Sequence, residues 1–300
     1  MMRLAEIELH VASIGGLRDV VGAMRSLASM RVQEALRTLP GIRRYATSMA
    51  NAIGTGLLLL PEATAGKSGR NGRRALILCT AEHGFAGAFN ERIIAAAGAV
   101  IEPDDALFIL GSRGVAHAQE LGWPCAWSHP MATHPEGVPE MTRHVTVELY
   151  RRIAGGSITR VEVMFARYRR GGAPTIEHRR LLPLDLSSFA PKPGRLPPLH
   201  NLAPLALVEK LAAEYIFALL TEAGTESVGS ENAARFSAME SAHDNVSKKL
   251  AQLREEAHQA RQSEITTELI DLVTGAEALH ERHPSAMHRA PVPPPDIANV

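Results

Sequence analysis

Two long helical patterns, one at each end of the 300-residue chain, constrain the fold more than any other feature. Near the amino terminus, apolar residues recur at steps of three and four, which places them on one narrow helix face of the coiled-coil kind. The stripe consists of Leu4, Ile7, Val11, Ile14, Leu17, Val21, Met24 and Leu27. Pro40-Gly41 is expected to kink or end this helix. A second helical stretch is expected over about residues 42–59.

The carboxyl-terminal pattern is longer and runs over residues 205–279, with Gly224 and Gly229 as candidate interruptions. Its first stripe consists of Phe236, Met239, Ala242, Val246, Leu250, Leu253, Ala257 and Ala260, and after a phase shift Leu269, Leu272, Ala276 and Leu279 continue it. A small domain cannot cover a helix of this length, so the stripe needs a partner helix. The only other candidate is the amino-terminal helix, and we therefore expect the two ends of the chain to pair.

Between the two patterns, strand signals alternate with helix signals, which favours an open α/β sheet. The apolar runs at 74–80 and 106–112 suit buried parallel strands. Further elements are expected as helices at 88–101 and 138–154 and as strands at 160–168 and 175–183, the last two joined by a Gly171-Gly172 turn. The stretches 61–73 and 185–204 are rich in Pro, Gly and Ser and are predicted to be linkers.

The composition limits the function classes. Lys plus Arg equals Asp plus Glu at 32 each, so the chain lacks the basic excess of a dedicated nucleic-acid binder. Two cysteines, Cys79 and Cys125, cannot form a disulfide framework and fit a reducing compartment. No targeting segment is predicted, and the apolar run at 57–60 is far shorter than the roughly 20 residues that a membrane span needs.

The neutral total hides segments of opposite charge. Residues 1–45 hold seven arginines against four acids, whereas residues 205–279 hold six basic residues against thirteen acids. Residues 151–184 hold eight arginines against two acids, and their densest cluster consists of Arg167, Arg169, Arg170, Arg179 and Arg180. Stacking aromatics are not interleaved beyond Tyr168, so a charged strand face or a docking surface is favoured over RNA or anionic lipid.

The sequence segments that come nearest to motifs of catalysis or cofactor binding are incomplete. The segment AGKSG at 65–69 lacks the Gly that a phosphate loop needs at position 61, and EHGFAGAFN at 82–90 lacks G-x-G-x-x-G spacing. The histidines at 129, 134, 280, 283 and 288 do not form a zinc motif and are expected to be solvated. Cys79 lies in a predicted buried strand, a poor place for a nucleophile. We therefore predict no catalytic residue, no cofactor and no metal.

Local residue patterns nevertheless resemble one family. The carboxyl-terminal segment carries Ala234-Arg235, Ala238-Met239, Asp244-Asn245, Ala260-Arg261-Gln262, Ile265-Thr266 and Gly275-Ala276, and the amino-terminal segment carries Ile14, Ala23-Met24, Arg43 and Tyr45-Ala46. Together with the strand and turn at 79–87 and LLPL at 181–184, these resemble the gamma subunit of F-type ATP synthases over about residues 1–280. The family's S-D-R-G-L-C-G turn is AEHGFAG here, and its Arg-Pro-Tyr is Arg43-Arg44-Tyr45. The chain thus looks like a divergent or alternate-complex member.

The resemblance implies an antiparallel coiled coil of the N- and C-terminal helices with an inserted open α/β (Rossmann-like) domain. Its parts would be the N-terminal helix (1–60), the α/β domain with flanking linkers (61–204) and the C-terminal helix (205–280). The composition of residues 281–300 predicts a Pro-rich disordered tail, which lies beyond the usual end of the family. The subunit would be the non-catalytic rotor of the central stalk, one copy per complex, and would bind the alpha and beta subunits of the catalytic hexamer, the epsilon subunit and the membrane c-ring. It would be held peripherally at the cytoplasmic face of a bacterial inner membrane.

The resemblance also implies which residues meet partners. Contacts with the stator map onto Met24, Arg235, Gln262, Thr266 and Asp271. Contacts in the lower stalk map onto the turn that contains Glu82, His83, Gly84, Phe85 and Gly87. Two other classes remain open from the residues alone: a non-rotary coiled-coil scaffold with an α/β adaptor domain, and an α/β enzyme that binds a small molecule near residues 80–90.

Overall fold

The computed structural model describes residues 4–60, 72–169, 171–189 and 199–281, with side chains as far as residue 277. One long helix, α1 (Leu4–Leu57), precedes an α/β region in the sequence, and a second, α5 (Pro204–Glu281), follows it. That region consists of β1 (Arg74–Cys79), α2 (Phe89–Gly98), β2 (Ala106–Leu110), α3 (Ser112–Glu120), β3 (Cys125–His129), α4 (Val138–Ala154), β4 (Arg160–Arg167) and β5 (Thr175–Leu182). Short 3-10 turns cover Pro135–Gly137 and Leu186–Phe189.

The five strands form one sheet in the order β3-β2-β1-β4-β5, parallel except for the antiparallel β4–β5 pair. β1 is central and wholly buried because helices cover both faces, which is why its sequence is a continuous apolar run. Ile77 and its same-face neighbours pack with α4 and α5 in one core, whereas Leu76 and Leu78 pack with α2 and α3 in the other. The predicted open α/β sheet is confirmed.

The described residues group into two compact units. One contains α1 up to Arg18 and α5 from Asn245, and the other contains residues 19–244. In the larger unit α1 and α5 run antiparallel: a Cβ on Gly22 would approach His243, one on Gly229 would approach Ala35, and Arg43 pairs with Glu222. In the smaller unit Glu8 pairs with Arg261. The predicted pairing of the two ends is therefore confirmed.

A seven-residue repeat of small and aliphatic side chains forms the buried face of α1, as expected for a coiled coil. Its buried members are Ile7, Val21, Ala28, Val32, Ala35, Leu39, Ala46 and Ile53. Two members of the predicted stripe do not belong to it, because Leu17 and Leu27 are about half exposed (48% and 46%). The α5 stripe from Phe236 to Ala260 is buried or half-buried throughout.

The expectation that Pro40-Gly41 ends the first helix is wrong. α1 continues through Pro40 to Leu57, and the separate helix expected at 42–59 is its last part. Pro40 is exposed, while Leu39 and Ala46 on the opposite side are buried against the rest of the structure. This packing compensates for the proline penalty of about 3 kcal/mol.

Gly224 and Gly229 do not interrupt α5 either. They allow close packing: a Cβ on Gly224 would lie 2.8 Å from the Val138 side chain, and one on Gly229 would lie 3.1 Å from Ala35. The glycines therefore mark close approaches of α5 to α4 and to α1. Their intrinsic helix penalty is offset by the burial that this approach permits.

The stripe predicted to continue at Leu269, Leu272 and Ala276 does not form a seam. All three side chains are exposed, Leu272 at 70%, and the side chain of Leu279 lies outside the described residues. The reason is the lack of a facing helix, since the described part of α1 reaches only to Leu4, just beyond the contact of Glu8 with Arg261.

Sequence periodicity missed α3 and β3. α3 is short, and β3 is an edge strand whose residues are at most half-buried, so neither has a clear apolar pattern. Within the predicted linker 185–204, residues 186–189 form a 3-10 turn. The remaining linker and tail predictions fall largely on residues 61–71, 190–198 and 282–300, outside the described residues, as does the 65–69 segment.

The close approach at Gly224 can be tested with a matched helix glycine. Gly224→Ala should lower the free energy of unfolding by about 1–3 kcal/mol, because the new methyl group overlaps Val138 in a packed core. Gly41→Ala, at an open position of α1, should instead raise it by up to about 1 kcal/mol through helix propensity. Urea denaturation followed by circular dichroism measures both. Equal effects of the two substitutions would contradict the packing argument.

Candidate functional site

The carboxyl edge of the parallel strands is the place where open α/β sheets usually bind ligands. Here α5 fills it. Ser227 donates a hydrogen bond to the carbonyl oxygen of Cys79 at the end of β1 (2.9 Å), and Ser230 donates to that of Ala166 in β4 (3.0 Å). Both serines are fully buried. The carboxyl ends of β1 and β4 are therefore a joint between the sheet and the long helix rather than an open crevice.

The turn that follows β1 is braced by Glu82. Its carboxylate accepts hydrogen bonds from the Ser112 hydroxyl and backbone N–H and from the Met131 N–H (2.9 Å), and so ties together the loops after β1, β2 and β3. Burial acts to raise the pKa of Glu82, but the hydrogen bonds from Ser112 and Met131 outweigh it and hold the pKa below its ordinary value.

Arg235 of α5 holds the next residues of the same turn. Its guanidinium donates to the carbonyl oxygens of Gly84 (3.3 Å) and His83 (3.4 Å) and forms an ion pair with Glu231 one helical turn earlier (2.6 Å). Only 13% of the Arg235 side chain is exposed. Burial raises the pKa of Glu231, and the adjacent Arg235 counteracts this shift. The structure thus joins a residue predicted to face the stator to the turn predicted to lie in the lower stalk.

The tip of this turn is Phe85. Its side chain is 70% exposed and its backbone has a φ of 62°, a left-handed conformation that is costly for a residue with a Cβ. Gly87 has a similar φ of 55°, which glycine adopts without strain. Hydrogen bonds on both sides of Phe85 keep the turn in this form, so a large apolar side chain is presented to solvent.

The remaining predicted stator residues lie on the helices. Met24 is half-buried on α1, whereas Gln262, Thr266 and Asp271 are exposed on α5, with the Thr266 hydroxyl bonded to the Gln262 carbonyl. Five large apolar side chains between residues 262 and 277 are more than half exposed: Ile265, Leu269, Ile270, Leu272 and Val273. This end of α5 therefore exposes apolar and polar groups side by side.

The sequence patterns do not predict a cluster of charges around Glu222 and Glu226, in the buried segment of α5. Arg179, from the predicted basic cluster, pairs with Glu222 and Glu177, and Arg167 pairs with Glu177. Arg167 and Arg179 are thus paired within the chain, whereas Arg169 and Arg180 are exposed and Arg170 lies outside the described residues. The sequence feature that could have indicated this cluster is the pair Glu222 and Glu226, two acids four residues apart in a stretch of small residues.

Other candidate groups show no arrangement for chemistry. Burial raises the pKa of the Cys79 thiol to about 12, which makes it unreactive. His129 is half-buried and stacks between Trp127 and His144, so it is less solvated than expected. Among the described residues, no three His, Cys, Asp or Glu side chains cluster as metal ligands would. The described helices include none with enough length and apolarity to traverse a bilayer.

These observations define a class of protein: two long antiparallel helices, one of which packs against the carboxyl edge of the parallel strands of an α/β domain. The sequence profile described as ATP synthase matches residues 3–279. The ATP synthase gamma chain of Streptomyces avermitilis is 29% identical, with 90% of this chain and 94% of that one aligned, and that of Prosthecochloris aestuarii is 26% identical (93% and 99%). The chain therefore belongs to the ATP synthase family, as a gamma subunit of the F-type complexes.

Solved structures agree with this fold. The rotor of the Euglena gracilis mitochondrial ATP synthase matches with a TM-score of 0.59 at 12% identity, over 87% of this chain and 98% of that one. The central stalk and c-ring structure from Tetrahymena thermophila contains a chain that matches with a TM-score of 0.54 at 16% identity (74% and 99%). The predicted fold class, two long helices with an inserted α/β domain, is confirmed.

The role of Arg235 in bracing the turn can be measured directly. Arg235→Met keeps the apolar stem but removes the donors to Gly84 and His83, so amide hydrogen exchange should become faster over residues 83–87. Arg254→Met, at an exposed position of the same helix, serves as the control and should leave this exchange unchanged. Equal exchange of the turn in both variants would mean that Arg235 does not hold it.

Glu82 should make the stability depend on pH. Its pKa is lowered in the folded state, so its stabilising contribution is present above the unfolded-state pKa of about 4.3 and is lost as the pH falls below that value. Glu82→Gln should therefore be less stable than the wild type at pH 7, and the difference should narrow at pH 4. Urea denaturation at both pH values tests this, with the exposed Glu136→Gln as control. A difference independent of pH would refute the assignment.

Proposed function

We propose that the chain is the rotor shaft of a central stalk, which couples ion translocation through a membrane ring to ATP synthesis or hydrolysis on beta subunits. The observation that carries the proposal is the uncovered end of α5. Residues 262–277 expose five large apolar side chains beside Gln262, Thr266 and Asp271, a mixture typical of a surface that binds a partner. The partner would be the alpha and beta subunits, with Met24 adding a contact from α1.

The shaft would act by contacting the different nucleotide states of a beta subunit unequally. A partner can shift the equilibrium between nucleotide states of a beta subunit only if it contacts those states differently. An end of α5 that carries its leucines and isoleucines on one side and Asp271 on the opposite side presents a different chemistry as it turns. Binding changes at the catalytic sites would in turn be coupled to rotation as free energy.

The second proposed contact is the turn with Glu82, His83, Gly84, Phe85 and Gly87. Its support is the exposed, conformationally fixed Phe85, which is braced by Glu82 and Arg235. We assign this turn to the lower stalk, with the epsilon subunit and the membrane c-ring as partners. Because of its contacts with this turn, Arg235 would support a partner contact rather than reach the stator by itself. The complex would lie at the cytoplasmic face of a bacterial inner membrane, with this chain in one copy.

A truncation tests the role of the α5 end. A chain ending at Ile265 should still assemble, because the buried segment of α5 is intact, but ion-driven ATP synthesis should fall several-fold through loss of the stator contacts. A chain ending at Leu279 is the matched control and should behave as the full chain does. Unchanged synthesis in the shorter truncation would refute the assignment.

Affinity purification from native membranes tests the assembly itself. Recovery of the tagged chain with three alpha-like and three beta-like subunits per copy and with ATPase activity is the expected result. Recovery of the chain alone, or with unrelated proteins, would favour the second candidate, a non-rotary coiled-coil scaffold with an α/β adaptor domain. The same long helices and sheet would serve either role.

A further inference from the structure

A neutral cluster of six charged side chains joins four elements of the larger unit. It consists of Arg43 on α1, Arg167 on β4, Glu177 and Arg179 on β5, and Glu222 and Glu226 on α5. We name these six residues the charge cluster. Both glutamates of α5 are almost completely buried, with 8% and 3% of their side chains exposed.

Each buried carboxylate is shared between different elements. Glu222 accepts from Arg43 through one oxygen (2.9 Å) and from Arg179 through the other (2.8 Å). Glu226 accepts from Arg43 and, through its second oxygen, from the backbone N–H of Tyr168 next to β4 (3.2 Å). Arg43 thus bridges two carboxylates one helical turn apart, a contact that the forked guanidinium can make and a lysine ammonium makes poorly.

The pKa values of the two carboxylates are shifted in opposite directions. Burial acts to raise the pKa of Glu222, but hydrogen bonds from Arg43 and Arg179 outweigh it, and the pKa lies below its ordinary value. Burial raises the pKa of Glu226, and the hydrogen bond from Tyr168 and the nearby arginines only reduce the shift. Burial of ionised Glu226 is therefore less fully compensated than burial of ionised Glu222.

The buried apolar face of α1 near Arg43 combines small and larger side chains, namely Ala35, Leu39 and Ala46. Apolar contacts have no direction, so they resist a small rotation of α5 less than hydrogen bonds between charged groups do. Buried polar groups are the known means of fixing register in such seams.

We propose that Arg43, Arg179, Glu222 and Glu226 fix the register of α1 and α5 against the sheet and so transmit torque between the shaft and the α/β domain. The residues act as positioning residues. Sliding α5 by one residue would separate four charge-assisted hydrogen bonds at once. This inference rests on the proposed rotor function, since torque has meaning only in a rotating complex.

The test uses the assembled complex in inverted membrane vesicles, with ATP hydrolysis and ATP-driven ion pumping measured together. Arg43→Met should keep hydrolysis within about two-fold of the wild type while the ions pumped per ATP fall several-fold, and Arg43→Lys should recover part of the loss. Arg151→Met, which breaks a surface ion pair of 2.7 Å within α4, is the control and should pump normally. Normal pumping per ATP in assembled Arg43→Met would overturn the proposal.

A disulfide assay on the full-length chain covers a variant that does not assemble. Gly22→Cys with His243→Cys reports the native register, because a Cβ on Gly22 lies 3.9 Å from the His243 side chain. Gly22→Cys with Phe236→Cys reports a shift of α5 along α1 by about two helical turns. Adding Arg43→Met should slow the first cross-link several-fold and speed the second; unchanged rates would overturn the proposal.

The proposed function has its own, separate outcome. If the unaltered chain does not purify with an ATPase hexamer, the rotor assignment fails, and the register assay then decides the positioning role alone. If the unaltered complex pumps ions and the Arg43 variants pump equally well, only the inference about the charge cluster fails.

Discussion

The burial of residues 221–232 of α5 is the constraint on which the rest of the structure depends. Every side chain in this stretch is buried, although it contains Glu222, Glu226 and Glu231 and several hydroxyl groups. Buried polar groups are costly unless each finds a partner. Carbonyls of β1 and β4 and arginines on α1 and β5 supply the partners of the two serines and of Glu222 and Glu226, while Glu231 and the threonines find partners within α5 itself. The sheet therefore cannot pack elsewhere along α5 without leaving some of these groups unpaired.

The sequence was sufficient for those elements whose signal is local. The α1 and α5 stripes and the buried strands β1 and β2 follow from period and apolarity, which neighbouring residues determine. Predictions failed where tertiary packing overrides a local preference. Pro40 does not end α1 because the opposite face is held by buried side chains, and Gly224 lies within a helix because α4 approaches there. β3 was missed because an exposed edge strand needs no apolar period.

The candidate site likewise contains one part that local sequence indicates and other parts that only the fold brings together. The strand-to-helix turn at 82–87 was found because its glycines and position are visible in the sequence. Its bracing by Arg235 could not be found, since no pattern relates residues so distant along the chain. The charge cluster is a sharper case, because its arginines come from α1, β4 and β5 and only the fold brings them to Glu222 and Glu226. Resemblance to a family predicted positions of contact with other subunits but not the partners that each side chain has within its own chain.

A shaft that transmits torque needs resistance to twisting at its joint, and apolar packing supplies this poorly. The hydrophobic effect depends on area and has no direction, so a small rotation of a smooth helix face changes it little. Hydrogen bonds between charged groups weaken steeply with angle and distance. Directional bonds at the joint and the exposed, mixed apolar and polar side chains at residues 262–277 are thus suited to different tasks. The first would resist rotation of α5 within its own chain, and the second would permit α5 to turn against a partner.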